Sequence, residues 1–128
     1  MKNTLLIFSL AAGLVLAPRA GDAHHGWVDF DEKANVTVQG TVTAFYFFNP
    51  HCVLEFDVPD DKGHLLKWQG EFASKLELSR KGWTAASIEA GQKVTLRGHP
   101  AKDGTRAIHI TQIRTATGEL KLGPENDN

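Results

Sequence analysis

From residue 36 onward the chain alternates. Val36, Val38 and Val42, with Ala44 in the same phase, fall between Thr37, Gln39, Thr41 and Thr43. A period of two marks a strand with one face in a core, and this run predicts a first strand over 36–48. Gly40 interrupts it. A lone glycine in a strand pattern predicts a bulge or sharp bend there, which lets one strand serve both halves of a barrel. Asn49–Pro50 ends the run. Residues 51–58 predict a second strand, with Cys52, Leu54, Phe56 and Val58 on one face. Pro59 to Gly63 reads as a turn, and 64–69 as a third strand. The period then lengthens. Phe72, Leu76 and Leu78 predict a short helix over 73–80, stopped by Gly82. Strands follow at 93–99 and 105–115, joined by a turn over 100–104, with a short last strand at 119–122.

The order β-β-β-α-β-β, with a long first strand and a helix between the third and fourth, predicts an all-β fold with one short helix. The expected architecture is a small five- to six-stranded OB-like barrel. Another small barrel or a sandwich is the alternative.

The region upstream of the alternation has a different character. Lys2 precedes an apolar run from Leu5 to Ala17. At about 13 residues it falls short of the roughly 20 that a bilayer-spanning helix needs. Small residues follow, completing the pattern of a secretory signal peptide over 1–23. Cleavage after Ala23 places Gly21 and Ala23 at the two positions a signal peptidase reads; cleavage after Ala20 is the rival. The expectation is a periplasmic protein without a membrane anchor, its barrel domain at 24–122 and a loose polar tail at 123–128. With 128 residues, 41% hydrophobic and 23% charged, the chain is one globular domain and not a disordered or collagen-like one. A net charge of −1 and a pI near 6.6 supply no basic field, so no nucleic-acid partner is expected. One cysteine, Cys52, excludes an intrachain disulfide.

Candidate chemistry rests on histidine. With cleavage after Ala23, His24 offers its α-amine and its imidazole Nδ1 to one ion. A second histidine then completes a T-shaped three-nitrogen site, a histidine brace. Such nitrogen-rich sites suit Cu(II), so copper is the expected cofactor. His25 can contribute through the amine, the intervening amide and its own ring. His51, stiffened by Pro50, is the preferred remote ligand. Cys52 is adjacent, but neighbouring strand residues point to opposite faces, which makes it a core residue. His64, His99 and His109 lie near turns or strand ends and read as solvated. The sequence carries no G-x-S-x-G, phosphate loop, C-x-x-C or H-E-x-x-H, and no enzyme is expected. Glu71, just before the helix, is expected to cap it or to pair with Arg80 or Lys81.

Aromatic residues give a second, metal-free reading. Phe45, Tyr46, Phe47 and Phe48 are consecutive, and one strand face cannot bury all four. Phe45 and Phe47, left open with Trp68, would form a stacking patch for a periplasmic glycan, peptide or protein. A helix or the 25–30 segment covering them is the competing arrangement. Trp83 is expected to plug the barrel mouth.

Ala23–His24–His25, Phe30–Asp31, Asn49–Pro50–His51, Arg80–Lys81–Gly82–Trp83 and Ala101–Lys102–Asp103–Gly104 together resemble a family of small exported bacterial proteins of unknown function. Gly26 departs from the serine common after the histidine pair. The resemblance implies export and an OB-like barrel, and brings no activity.

Overall fold

A computed structural model describes residues 29–122. Six strands and one helix follow in chain order: β1 (Val36–Tyr46), β2 (Val53–Pro59), β3 (Leu65–Glu71), α1 (Lys75–Arg80), β4 (Lys93–Pro100), β5 (Ala107–Thr115) and β6 (Gly118–Leu120). The hydrogen-bonded order is β3-β2-β1-β4-β5-β6, and β3 also pairs with β5. That last pairing is parallel, through Gln69–Ala107, Gly70–Ile108 and Glu71–His109. It closes the ring β1-β2-β3-β5-β4 into a five-stranded barrel of OB topology, with β6 as a hairpin extension on β5.

The predicted alternation fills the barrel. Val38, Val42, Leu54, Phe56, Val94, Leu96, Ile108, Ile110 and Ile113 are all buried. As expected, β1 serves both halves: it pairs with β4 through Val36–Thr41 and with β2 through Thr41–Tyr46. The predicted bulge at Gly40 is displaced. The register shifts between Val42 and Ala44, while Gly40 pairs regularly with Val94. Gly40 is glycine because of crowding: a Cβ there would meet the Asp57 carbonyl oxygen at 2.7 Å and Phe56 Cδ2 at 2.9 Å.

The displaced bulge has a consequence for the aromatic run. An extra residue at 43 reverses the alternation beyond it. Ala44 pairs with exposed Glu55, and Phe45 pairs with buried Leu54. Phe45 therefore leans inward, stacked on Phe72 (centroids 6.0 Å, 13°) and edge-on to Trp83 (6.2 Å).

The helix is shorter than its apolar pattern implied. Ser74 is its N-cap, accepting from the Glu77 backbone N–H, while the Glu77 carboxylate accepts from the Ser74 N–H. This reciprocal capping box fills the role expected of Glu71, which lies in β3 instead. Leu78 is fully buried and Leu76 is 56% exposed, so the helix presents a single apolar anchor to the core. Phe72, Leu78, Ile88 and Trp83 join the same buried cluster as the barrel residues. Trp83 donates its indole N–H to the Lys121 carbonyl at 3.1 Å.

Before β1 the chain forms an arm. Phe30 bridges Ala101, Asp31 N–H donates to the Pro100 carbonyl (2.9 Å), and Lys102 N–H donates to the Asp29 carbonyl (2.9 Å). No helix among the described residues is long and apolar enough to cross a membrane.

Candidate functional site

Pairing registers place several ionisable residues in one row across the outside of the barrel. Val53 on β2 faces Glu71 on β3, Glu71 faces His109 on β5, and His109 faces His99 on β4. Alternation with buried Leu54, Gly70, Ile108 and Gly98 turns all four outward. His51 lies two residues before Val53, at the head of this row, and is half-buried. Its charge acts on Glu77 in the helix and on His109.

The expectation that His99 and His109 are solvated does not hold. Both are half-buried, and their ring centroids stand 5.8 Å apart at 46°. Phe30, on the arm, packs on His109 at 5.9 Å. The His99 Nδ1 lies 2.8 Å from the Ala34 carbonyl oxygen. A carbonyl can only accept, so Nδ1 carries the proton in this hydrogen bond. Burial pushes the His109 imidazole down to about 4, reinforced by the charges of His99 and then His51. The sequence signal for this pair was available in principle. His99 and His109 flank the β4–β5 turn at matching distances, and a correct register would have paired them.

The remaining histidines divide. His64 is exposed, with its Nδ1 3.3 Å from the Asp60 carboxylate, the solvated position expected. His24 and His25, with the rest of residues 1–28 and residues 123–128, lie outside the described residues. Cys52 is fully buried. Its Sγ lies 3.7 Å from the Phe48 carbonyl, and burial pushes its thiol pKa up, consistent with a core role. Among the described residues no three His, Cys, Asp or Glu side chains surround a common point.

The expected aromatic patch is rearranged. Phe45 and Phe47 are half-buried against the core. Phe47 contacts Phe45 at 5.9 Å and lies under the Lys75 ammonium (5.8 Å). Trp68 stacks on Phe56 at 6.2 Å, and its buried indole N–H has no partner among the described residues. The aromatics that stay open are Tyr46 (43% exposed) and Phe48 (44%), a T-shaped pair at 6.2 Å. A cleft of about 580 Å³ runs beside Trp68, lined by Glu55, Asp57, Lys67, Gln69 and Arg106. Phe56 and Trp68 also line it, and its charged side chains are mixed in sign.

A family model described as "family of unknown function (DUF6152)" matches residues 12–109. The chain belongs to DUF6152. Among curated proteins none matches. Solved structures similar in chain trace include the mitochondrial single-stranded DNA-binding protein Rim1 of S. cerevisiae. It is 13% identical at TM-score 0.49, covering 74% of this chain and 99% of that one. Another is the dimeric N-terminal domain of PriB from Thermoanaerobacter tencongensis, 18% identical at TM-score 0.39, covering 66% and 97%. For this DUF6152 member the OB assignment stands on its own strand order, β1-β2-β3-β5-β4 closed by the parallel β3–β5 pairing.

Proposed function

We propose that this protein is an exported binding module that takes up Cu(II), its new N-terminus after cleavage at Ala23 supplying the amine and ring of His24. Binding, not catalysis, is its task. One observation carries the reading: the arm ahead of β1 is fixed along the histidine-bearing row of the barrel. Asp29, Phe30 and Asp31 pair with the end of β4, and Phe30 lies on His109. From Asp29 back to His24 is five residues, a reach of up to roughly 17 Å. His24 can thus meet a histidine of that row, His51, His99 or His109, with His25 available as an auxiliary donor. The charged outer positions of β2 and β3, Glu55, Asp57, Glu71 and Lys67, are on balance acidic, which favours a ligand other than a single-stranded nucleic acid, since single strands are held by basic grooves.

The test is native mass spectrometry of the protein exported by its own leader, with and without one equivalent of Cu(II). A chain beginning at His24 and retaining one copper is expected. An added alanine ahead of His24 should abolish tight retention; undiminished retention refutes the reading. A metal-free module binding a periplasmic glycan, peptide or protein is the second reading. The exposed Tyr46–Phe48 pair beside exposed Leu76 favours it. Phe48→Ser would then lose a partner in a periplasmic pulldown while the protein stays folded.

A further inference from the structure

We propose that the cleft beside Trp68 binds a short peptide by its two free ends, with the ammonium toward β2 and the carboxylate toward β3 and the turn after β4. The inference is separate from the copper reading: no histidine lines this cleft, and its test contains no metal. At about 580 Å³ the cleft falls in the range of small-ligand sites.

Its charges are sorted by strand. Glu55 and Asp57 lie two apart on β2 and alternate with buried Leu54 and Phe56, so both carboxylates are on the outer face. Across from them, Lys67 pairs in register with Asp57, and Gln69 with Glu55. Arg106 follows beyond β3, where its carbonyl accepts the Gln69 N–H at 3.0 Å. Acidic groups thus occupy one side of the cleft and basic groups the other. None of the four charged side chains forms an ion pair among the described residues. The backbone under them is fixed. A seven-pair ladder holds β2 against β3. The turn carrying Arg106 is braced by Asp103, whose carboxylate accepts the Thr105 N–H (2.9 Å) and the Thr105 hydroxyl (2.7 Å).

Like charges side by side repel, and a counter-charge placed between them relieves both. An ammonium does this for Glu55 and Asp57, and a carboxylate does it for Lys67 and Arg106. Two charges of each sign cancel, so the lining favours neither a polyanion nor a polycation. It favours one molecule that carries both charges, set apart. Adjacent strands stand about 4.8 Å apart, which puts Lys67 and Arg106 roughly 5–10 Å from the acidic row. A free amino acid holds both charges on one carbon and is too short. Two or three extended residues span roughly 7–10 Å. Phe56 and Trp68 add apolar surface to the lining for the middle of such a peptide.

The test titrates trialanine into the isotope-labelled protein and follows the amide resonances by NMR. N-acetyl-trialanine, trialanine amide and maltotriose are run beside it. Trialanine should shift the amides of residues 55–57, 67–69 and 104–106. Each blocked peptide lacks one charged contact and should bind at least about tenfold more weakly. Lys67→Met and Arg106→Gln should each weaken trialanine by about three- to tenfold, yet leave the amide form as it was. Glu55→Gln should weaken trialanine in the same way and leave the N-acetyl form unaffected. All three positions are exposed, and unshifted resonances elsewhere verify the fold of each variant. No shift at about 10 mM trialanine overturns the proposal, and so does equal binding of the free and blocked peptides. Shifts of the same amides by maltotriose alone overturn it in favour of a neutral sugar. None of these outcomes bears on copper retention, which stands or falls by its own experiment.

Discussion

Two glycines in the barrel wall should respond very differently to the same added methyl group. At Gly98 a Cβ would sit 1.9 Å from the His109 carbonyl oxygen and 2.8 Å from its carbon. Ordinary contact begins near 3.4 Å, so the β5 backbone would have to retreat by about 1.5 Å, and close-packed interiors resist such shifts. Overpacking commonly costs about 1–3 kcal/mol, and a disturbed ladder hydrogen bond adds about 1 kcal/mol. Gly98→Ala should therefore cost about 2–4 kcal/mol, toward the upper end because the clash is with backbone. At Gly70 the nearest atoms are Ile110 Cδ1 at 2.3 Å and Cγ1 at 2.8 Å, a side chain and not a backbone. Gly70→Ala should cost about 2 kcal/mol. Ile110→Val deletes the clashing Cδ1 and alone costs about 0.5–1.5 kcal/mol. In the Gly70→Ala background it should instead be neutral or stabilising, a coupling of about 1 kcal/mol. In the Gly98→Ala background it should give no relief. Urea unfolding followed by tryptophan fluorescence reads all five variants and the parent. The reasoning fails if Gly98→Ala is the milder of the two, or if Ile110→Val is equally destabilising in the parent and in Gly70→Ala.

Three further outcomes are expected. Ser74→Ala removes the helix cap and should cost about 1 kcal/mol, lowering Tm by roughly 4–8 °C. The Glu77 carboxyl is held below its usual 4.5 by the Ser74 N–H and then the Ser74 hydroxyl. Its contribution is thus present above the unfolded value and lost as pH falls through the lower folded one. The Ser74→Ala deficit should shrink in acid, and a pH-independent deficit contradicts the capping box. Cys52, buried with its thiol pushed up, should resist alkylation at pH 8 until urea unfolds the barrel; native-state labelling at the rate of free cysteine contradicts its place in the core. Phe45→Ser should cost about 2–3 kcal/mol because Phe45 packs on Phe72 and Trp83. Phe48→Ser at its exposed site should cost under about 0.5 kcal/mol, and equal thermal shifts for the two would refute the inward turn after the bulge.

The barrel was legible wherever one residue decided its own face. Val38 and Val42 on β1, and Leu54 and Phe56 on β2, alternate against polar neighbours and all point inward. Legibility stopped where a distant strand decided. The bulge between Val42 and Ala44 depends on how β1 meets β2, and no local composition marks it. The alternation alone therefore leaves the side taken by Phe45 open, and the bulge settles it inward. The helix start is set by the Glu77 carboxylate returning to the Ser74 N–H, a contact that the apolar pattern does not mark. His99 and His109 look like ordinary strand-end histidines. Only the β4–β5 register and the arm over them create their half-buried pair.

The parallel seam between β3 and β5 is only three residue pairs long, whereas β1–β4 and β2–β3 run for six and seven. The barrel is in effect a rolled sheet fastened along one short join. Unzipping that join breaks few hydrogen bonds, so the amides of residues 69–71 and 107–109 should be the first of the barrel wall to exchange with solvent, through local opening. His109 lies on the outer side of the same join. Phe30 of the arm packs on that ring, so the arm lies over the join from outside, and exchange at residues 107–109 should quicken when Phe30 is shortened to alanine.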